Sequence, residues 1–353
     1  MRLLDSLALA VFRRMDPERA HDAALWALEH GLGARRAAPD DPILATKLWD
    51  LSFPNPVGLA AGFDKDARVA GAALRLGFGF VEAGTVTPRP QPGNRRPRLF
   101  RLDEDEAVIN RFGFNSRGLD PFAARLARRR GVPPSGVVGA NVGKNRDTAD
   151  GAADYAAGVE RLAPHADYLV VNLSSPNTPG LRALQARGPI EDLLSRVLAA
   201  RAKGAGTGRR PPLLAKVGPD LSETDMQDIA EVALRLGIDG LIVGNTTVAR
   251  PPGLRSRHRA QAGGLSGRPL MAPSTECLSR MYGLTAGRIP LIGCGGVASG
   301  EDAYRKIRAG ASLVQLYSAL VFHGPALIED IKKDLAVCLR RDGFSSVAQA
   351  AGA

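Results

Sequence analysis

Apolar residues recur at helical spacing near the start of the chain. Leu3, Leu4, Leu7, Ala8, Val11 and Phe12 form one stripe, and Ala20, Ala24, Leu25, Trp26 and Leu28 form a second. Asp16 ahead of Pro17 predicts an N-cap with proline in the first helical turn, and Gly31 and Gly33 predict the stop. The spacing thus predicts two amphipathic helices, either packed on a larger domain or lying at an interface that meets a membrane or an apolar ligand. From residue 57 the rhythm changes to short apolar runs bounded by glycine, each followed by a longer helical pattern. The runs are Val57 to Ala61, Gly79 to Gly84, Val137 to Asn141, Tyr168 to Asn172, Leu213 to Val217, Gly240 to Asn245, Ile289 to Gly293 and Ser312 to Tyr317. Near-continuous apolar strands alternating with helices predict a buried parallel sheet, and eight such units predict an α/β fold closed into a (β/α)8 TIM barrel. An open doubly wound sheet is the alternative. The expected division is a helical segment over 1–40, a barrel over 41–345 and a C-terminal tail over 346–353.

Barrels carry their chemistry at the C-terminal ends of the strands, and the polar residues of this chain gather there. Lys65 follows the first run, Thr85 the second, Asn141 and Asn172 end the third and fourth, Lys216 lies late in the fifth, and Asn245-Thr246 end the sixth. The last two runs lead into Gly293-Cys294-Gly295-Gly296 and Tyr317-Ser318, and a glycine turn there lets backbone N–H groups approach a phosphate. Asn110 and Asn177 add to the amides at the mouth. An amide offers both donor and acceptor and matches the alternating edge of a pyrimidine or isoalloxazine ring, although asparagine is also common in plain turns. Lys216 suits a ring that becomes anionic on reduction, or pairs inside the barrel with a carboxylate such as Asp64 or Asp220. Lys65 suits a substrate carboxylate or the ring. Ser175, in the loop Ser174 to Gly180, is either a base relayed through Thr178 or water, or part of a turn.

Of the 353 residues, Lys+Arg exceed Asp+Glu by 47 to 36, yet only eight are lysine. The basic runs Arg95-Arg96 and Arg125 to Arg130 lack interleaved aromatics, so no nucleic-acid partner is expected. Three scattered cysteines and unpaired histidines suggest neither a disulfide framework nor a metal site. No stretch is long and apolar enough to span a bilayer, and no secretion signal is visible.

Ala60 to Lys65, Gly84 to Asn94, Asn110 to Asn115, Asn172 to Gly180, Gly263 to Pro269 and Gln315 to Ser318 together resemble the signatures of dihydroorotate dehydrogenase, in its membrane-associated, quinone-dependent class. The resemblance implies FMN held by Ala61, Gly62, Lys65, Thr85, Asn141, Asn172, Lys216, Gly244, Gly267, Gly296, Tyr317 and Ser318. Dihydroorotate and its product orotate would meet Lys65, Asn110, Arg111, Phe112, Gly113, Phe114, Asn172, Asn177, Asn245 and Thr246. Ser175 would be the base. The serine, where the soluble relatives carry cysteine, and the N-terminal helix pair both imply the quinone class, with residues 1–40 forming the mouth of a tunnel to the flavin. His21, Arg98, Arg101 and Tyr317 would lie at the quinone end. The resemblance further implies a monomer held peripherally at the cytoplasmic face of the cell membrane, with no metal. The rival readings are another FMN barrel, such as a 2-hydroxy-acid oxidase, which needs a histidine base, and a non-catalytic basic membrane-binding protein.

Overall fold

The computed structural model describes residues 2–32, 39–129, 136–178 and 180–353. Gly33, Arg130 and Pro179 lie outside the described residues, as do the side chains of Leu3, Leu4 and Leu7. Eight parallel strands close a barrel: β1 (Val57–Leu59), β2 (Phe80–Val86), β3 (Val137–Val142), β4 (Tyr168–Asn172), β5 (Leu213–Val217), β6 (Gly240–Val243), β7 (Leu291–Cys294) and β8 (Ala311–Leu316). Each pairs with the next in chain order, and Val314 to Leu316 of β8 pair with Val57 to Leu59 of β1. That last ladder closes the sheet and removes the open alternative. All eight expected runs are barrel strands. The seventh starts at Leu291 rather than Ile289, as fits Pro290, which has no N–H to donate to a ladder.

The runs read as continuously apolar because the strands are buried on both faces. Val81, Ala83, Val138, Ala140, Leu169 and Val171 join the core shared with the helices, whereas Phe80, Val137, Tyr168, Val170, Leu214, Ile242, Ile292 and Leu313 form a separate core inside the barrel. Two glycines make room for its aromatics. A Cβ on Gly58 would lie 2.2 Å from the Phe80 ring, and one on Gly139 would lie 2.1 Å from that of Tyr168. An antiparallel hairpin, Thr46–Leu48 with Leu51–Phe53, plugs the floor. Phe53 meets the Phe80 ring edge-on at 5.6 Å, and Trp49 donates its indole N–H to the Asp239 carbonyl at 2.7 Å.

The mouth is covered by two devices. A three-stranded antiparallel sheet joins Leu99–Leu102 and Ala107–Asn110, inserted after β2, to Gly264–Gly267, inserted after β6. Over it lie α1 (Arg2–Arg14) and α2 (Pro17–Glu29). The expected cap is present: the Asp16 carboxylate accepts from the N–H groups of Glu18 and Arg19, with Pro17 in the first turn. Buried Glu18 pairs with buried Arg98 at 2.7 Å, and Arg101 donates to the carbonyls of Arg13 and Phe12 at 2.6 and 3.4 Å. At the other end of the chain, a short helix, Val347–Ala350, buries Val347 and Ala350.

Because Phe53 fills the barrel floor with no path for collapse, Phe53→Ala should cost about 3–5 kcal/mol. Urea unfolding would show the lowered midpoint; a loss below about 1 kcal/mol would mean that the hairpin is not part of the cooperative core.

Candidate active site

A chain of hydrogen bonds runs from the barrel interior to its mouth, and one buried carboxylate anchors it. Glu82, on β2, accepts from Asn141 Nδ2 at 2.7 Å, Gln315 Nε2 at 2.7 Å and the Tyr168 hydroxyl at 3.3 Å. Lys216 Nζ lies 3.8 Å away. With its N–H turned down to Glu82, Asn141 presents Oδ1 upward to the Thr85 hydroxyl at 2.6 Å. Thr85 Oγ1 then accepts from Asn172 Nδ2 at 3.0 Å, and Asn172 Oδ1 accepts from Asn245 Nδ2 at 3.3 Å. Asn245 also donates to Ser174 Oγ at 2.8 Å. Every amide in this chain therefore has an assigned orientation.

Beside the amides stand buried Lys216 and half-buried Lys65. Lys65 Nζ donates to the Gly62 carbonyl at 2.8 Å and lies 4.1 Å above the Phe112 ring. Burial, then the charge of Arg98, pushes its ammonium down to about 8. Ser175 is buried at the same mouth, and its Oγ accepts the Asn177 backbone N–H at 3.3 Å. Among the described residues no histidine or carboxylate hydrogen-bonds to it. Thr178 Oγ1, three residues on, is buried without a hydrogen-bond partner.

Lys65, Thr85, Asn172, Ser175, Lys216 and Asn245 line one continuous cavity of about 280 Å3 that runs outward between α1 and α2, where Leu9, Phe12, Ala20 and Ala24 form its walls. His21 stands where the two parts meet. Its Nδ1 is 3.2 Å from the Tyr317 hydroxyl, and its ring meets Phe63 edge-on at 5.5 Å. Burial, then the charges of Lys65 and Arg68, pushes His21 down to about 3, so the imidazole is neutral at physiological pH. On the far side the wall is bare backbone. Gly296, at φ +81°, has no room for a side chain, since a Cβ would lie 2.4 Å from the backbone nitrogen of Met271.

A family model described as "Dihydroorotate dehydrogenase" matches residues 43–339. The chain belongs to the dihydroorotate dehydrogenase family. It is 61% identical over 338 residues to a protein of Azorhizobium caulinodans named "Dihydroorotate dehydrogenase (quinone)", covering 96% of this chain and 95% of that one. A protein of Oryza sativa, "Dihydroorotate dehydrogenase (quinone), mitochondrial", is 52% identical over 368 residues, covering 97% and 78%. Among solved structures, DHODH from Eimeria tenella in complex with ferulenol superposes with a TM-score of 0.91 at 44% identity, covering 96% of this chain and 95% of that one.

Most residues expected at the site of a dihydroorotate dehydrogenase line the one cavity: Ala61, Gly62, Lys65, Thr85, Asn172, Ser175, Lys216, Gly267, Gly296, Tyr317 and Ser318, with Asn110, Phe112, Gly113, Phe114, Asn177, Asn245 and Thr246. Asn141 and Gly244 stand behind that wall. Asn141 reaches it through Thr85, and a Cβ on Gly244 would lie 1.9 Å from the Cys294 carbonyl oxygen. Arg111 turns its guanidinium outward to Gln261, Ala262 and Pro97. His21 and Arg101 line the outer cavity, but Arg98 lines a separate polar chamber where it holds Glu18, Pro92 and Asn94. The acid near Lys216 is Glu82, not Asp64 or Asp220. Asp64 instead caps the backbone N–H groups of Arg68 and Val69. Glu82 itself escaped the sequence reading; its signal was a single charge within an apolar strand.

The folded site refuses a proton that an unfolded His21 takes up near its ordinary 6.5. Stability should therefore fall as the pH drops from about 6.5 toward 3, and His21→Gln should flatten that slope. Urea midpoints at pH 7.5 and 5 for both proteins test this; equal slopes would mean that His21 titrates normally.

Proposed function

We propose that the chain oxidises dihydroorotate to orotate on FMN bound inside the barrel mouth and passes the electrons to a membrane quinone. The observation that carries this reading is the single cavity with two chemistries, amides and lysines within the barrel and apolar side chains between α1 and α2. The residues fit FMN. The glycine turn at Gly295-Gly296 would offer backbone to a phosphate, and Lys216, Thr85 and Asn172 would supply polar contacts to the ring. Bound FMN accepts a hydride and hands on its electrons, which is the cofactor's own chemistry.

The protein's residues do the rest. Asn110, Asn177, Asn245 and Thr246 hold the pyrimidine ring by its alternating donors and acceptors, and Lys65 sets its ammonium against the substrate carboxylate. Ser175 Oγ takes the proton from C5 as the hydride leaves C6. The Asn177 N–H that it accepts favours the deprotonated oxygen, burial keeps bulk water from competing, and the free Thr178 hydroxyl supplies the next step for the proton. The absence of a histidine base beside Ser175 among the described residues sets this site apart from a 2-hydroxy-acid oxidase.

The quinone enters between α1 and α2 and meets His21, Tyr317 and Arg101. Exposed Val11, Trp26 and Leu32 on and after those helices support peripheral seating on the membrane. No helix of the described residues is long and apolar enough to cross it.

Ser175→Ala should slow flavin reduction by dihydroorotate at least about a hundredfold while orotate still binds. Anaerobic stopped-flow bleaching at the wild-type rate would remove Ser175 as the base. Ala24→Trp, which fills the outer cavity, should leave that bleaching unchanged and slow reoxidation by a soluble quinone by about tenfold or more. Unimpaired quinone turnover would refute the tunnel.

A further inference from the structure

Lys306 is a buried cation that no carboxylate among the described residues clamps by a hydrogen bond or ion pair. It lies on the helix Gly300–Arg308, fully buried, with its stem against β7: a Cβ on Gly293 would be 3.2 Å from Lys306 Cδ. Its hydrogen-bond acceptor is Ser274 Oγ, at 2.5 Å, and no carboxylate among the described residues forms an ion pair with it. Of the other buried lysines, Lys144 donates to the carbonyls of Asn145 and Arg146 at 3.2 and 3.5 Å, and two have carboxylates. Lys332 is clamped by Asp40 and Glu329, both at 2.7 Å, and Lys216 has Glu82. Burial pushes the Lys306 ammonium down to about 8, against the opposing influence of Cys294, Cys277 and Asp302. An ammonium taken out of water without a counter-ion is costly, so a fold that keeps one at full burial has something else to set against it.

The position of Lys306 says what. Ser274, which accepts its hydrogen bond, stands 3.0 Å from the Gly295 carbonyl and donates to the Leu270 carbonyl at 2.6 Å. One hydroxyl therefore separates the ammonium from the glycine turn that lines the cavity. Resting on the FMN reading above, we propose that Lys306 is a positioning residue of the phosphate site: its charge, set behind the Gly295-Gly296 turn, is the counter-ion to the FMN phosphate and favours FMN over unphosphorylated riboflavin. It touches neither ring nor phosphate directly; it acts through the field and by holding Ser274 against the turn.

The test uses the full-length chain stripped of flavin and reloaded, with FMN and riboflavin affinities read from quenching of flavin fluorescence. Lys306→Met, of similar shape and uncharged, should bind FMN about tenfold more weakly, the size expected of one unit charge a few ångströms behind the wall, and riboflavin as before. Lys306→Arg should retain most of the preference. Free of its uncompensated charge, flavin-free Lys306→Met should also withstand urea better than flavin-free wild type, a gain that a purely structural lysine would not give. Equal weakening of both flavins, or a flavin-free variant that is less stable or does not fold, overturns this proposal while leaving the FMN reading intact. Wild type that binds FMN no better than riboflavin overturns both.

Discussion

A carboxylate accepts hydrogen bonds and donates none, so Glu82 in the closed barrel dictates the direction of everything bonded to it. The Asn141 N–H must face down, its oxygen must face Thr85, the threonine must spend its proton on Asn141 and accept from Asn172, and Asn172 must turn its oxygen to Asn245. An amide rotated by half a turn would put two donors or two acceptors face to face at any of these steps. Without an anchor such a chain has two near-equivalent polarities; with one it has a single arrangement, and the mouth offers a defined pattern to a ring. The cost of holding the acid out of water is offset by three donors and the Lys216 ammonium 3.8 Å away.

The same buried layer explains why the barrel floor is built so tightly. Tyr168 donates to Glu82 and also belongs to the apolar core below it, whose rings fit because Gly58 and Gly139 have no side chains. The Phe53 hairpin closes that layer from beneath. Floor and network are thus one structure: loosening the floor would admit water to the acid, and water would compete for every donor on which the amide polarity rests.

The architecture was legible in the sequence where a periodic rule applied. Eight apolar runs became eight strands, Asp16-Pro17 became a helix cap, and the lysines and amides at the strand ends converged because a parallel barrel brings all such ends to one face. Legibility failed where function depends on partners distant in sequence. The sheet over the mouth is assembled from two insertions about 150 residues apart, each too short to announce itself, so neither Arg101 capping α1 nor Arg98 holding Glu18 was foreseeable. Arg111 sits within a motif that faces the site, but alternation along the chain sends its side chain the other way. An acidic partner was one of two readings of Lys216, and only the barrel's inward register identifies that acid as Glu82 rather than Asp64 or Asp220.

That small sheet ties the two halves of the cavity together. Arg101, on its first strand, holds the carboxyl end of α1; Val108, its pairing partner on the middle strand, lies two residues before Asn110 in the cavity wall; and Ala107 of that strand pairs with Gly267, which lines the same cavity. One small sheet thus reaches both the outer apolar mouth, through Arg101, and the amide pocket, through Asn110. A helix pair attached only to a loop would drift relative to the ring pocket. Attached through Arg101 to a strand paired with the one that carries Asn110, it holds the apolar outer part of the cavity in register with the amide pocket of the barrel mouth.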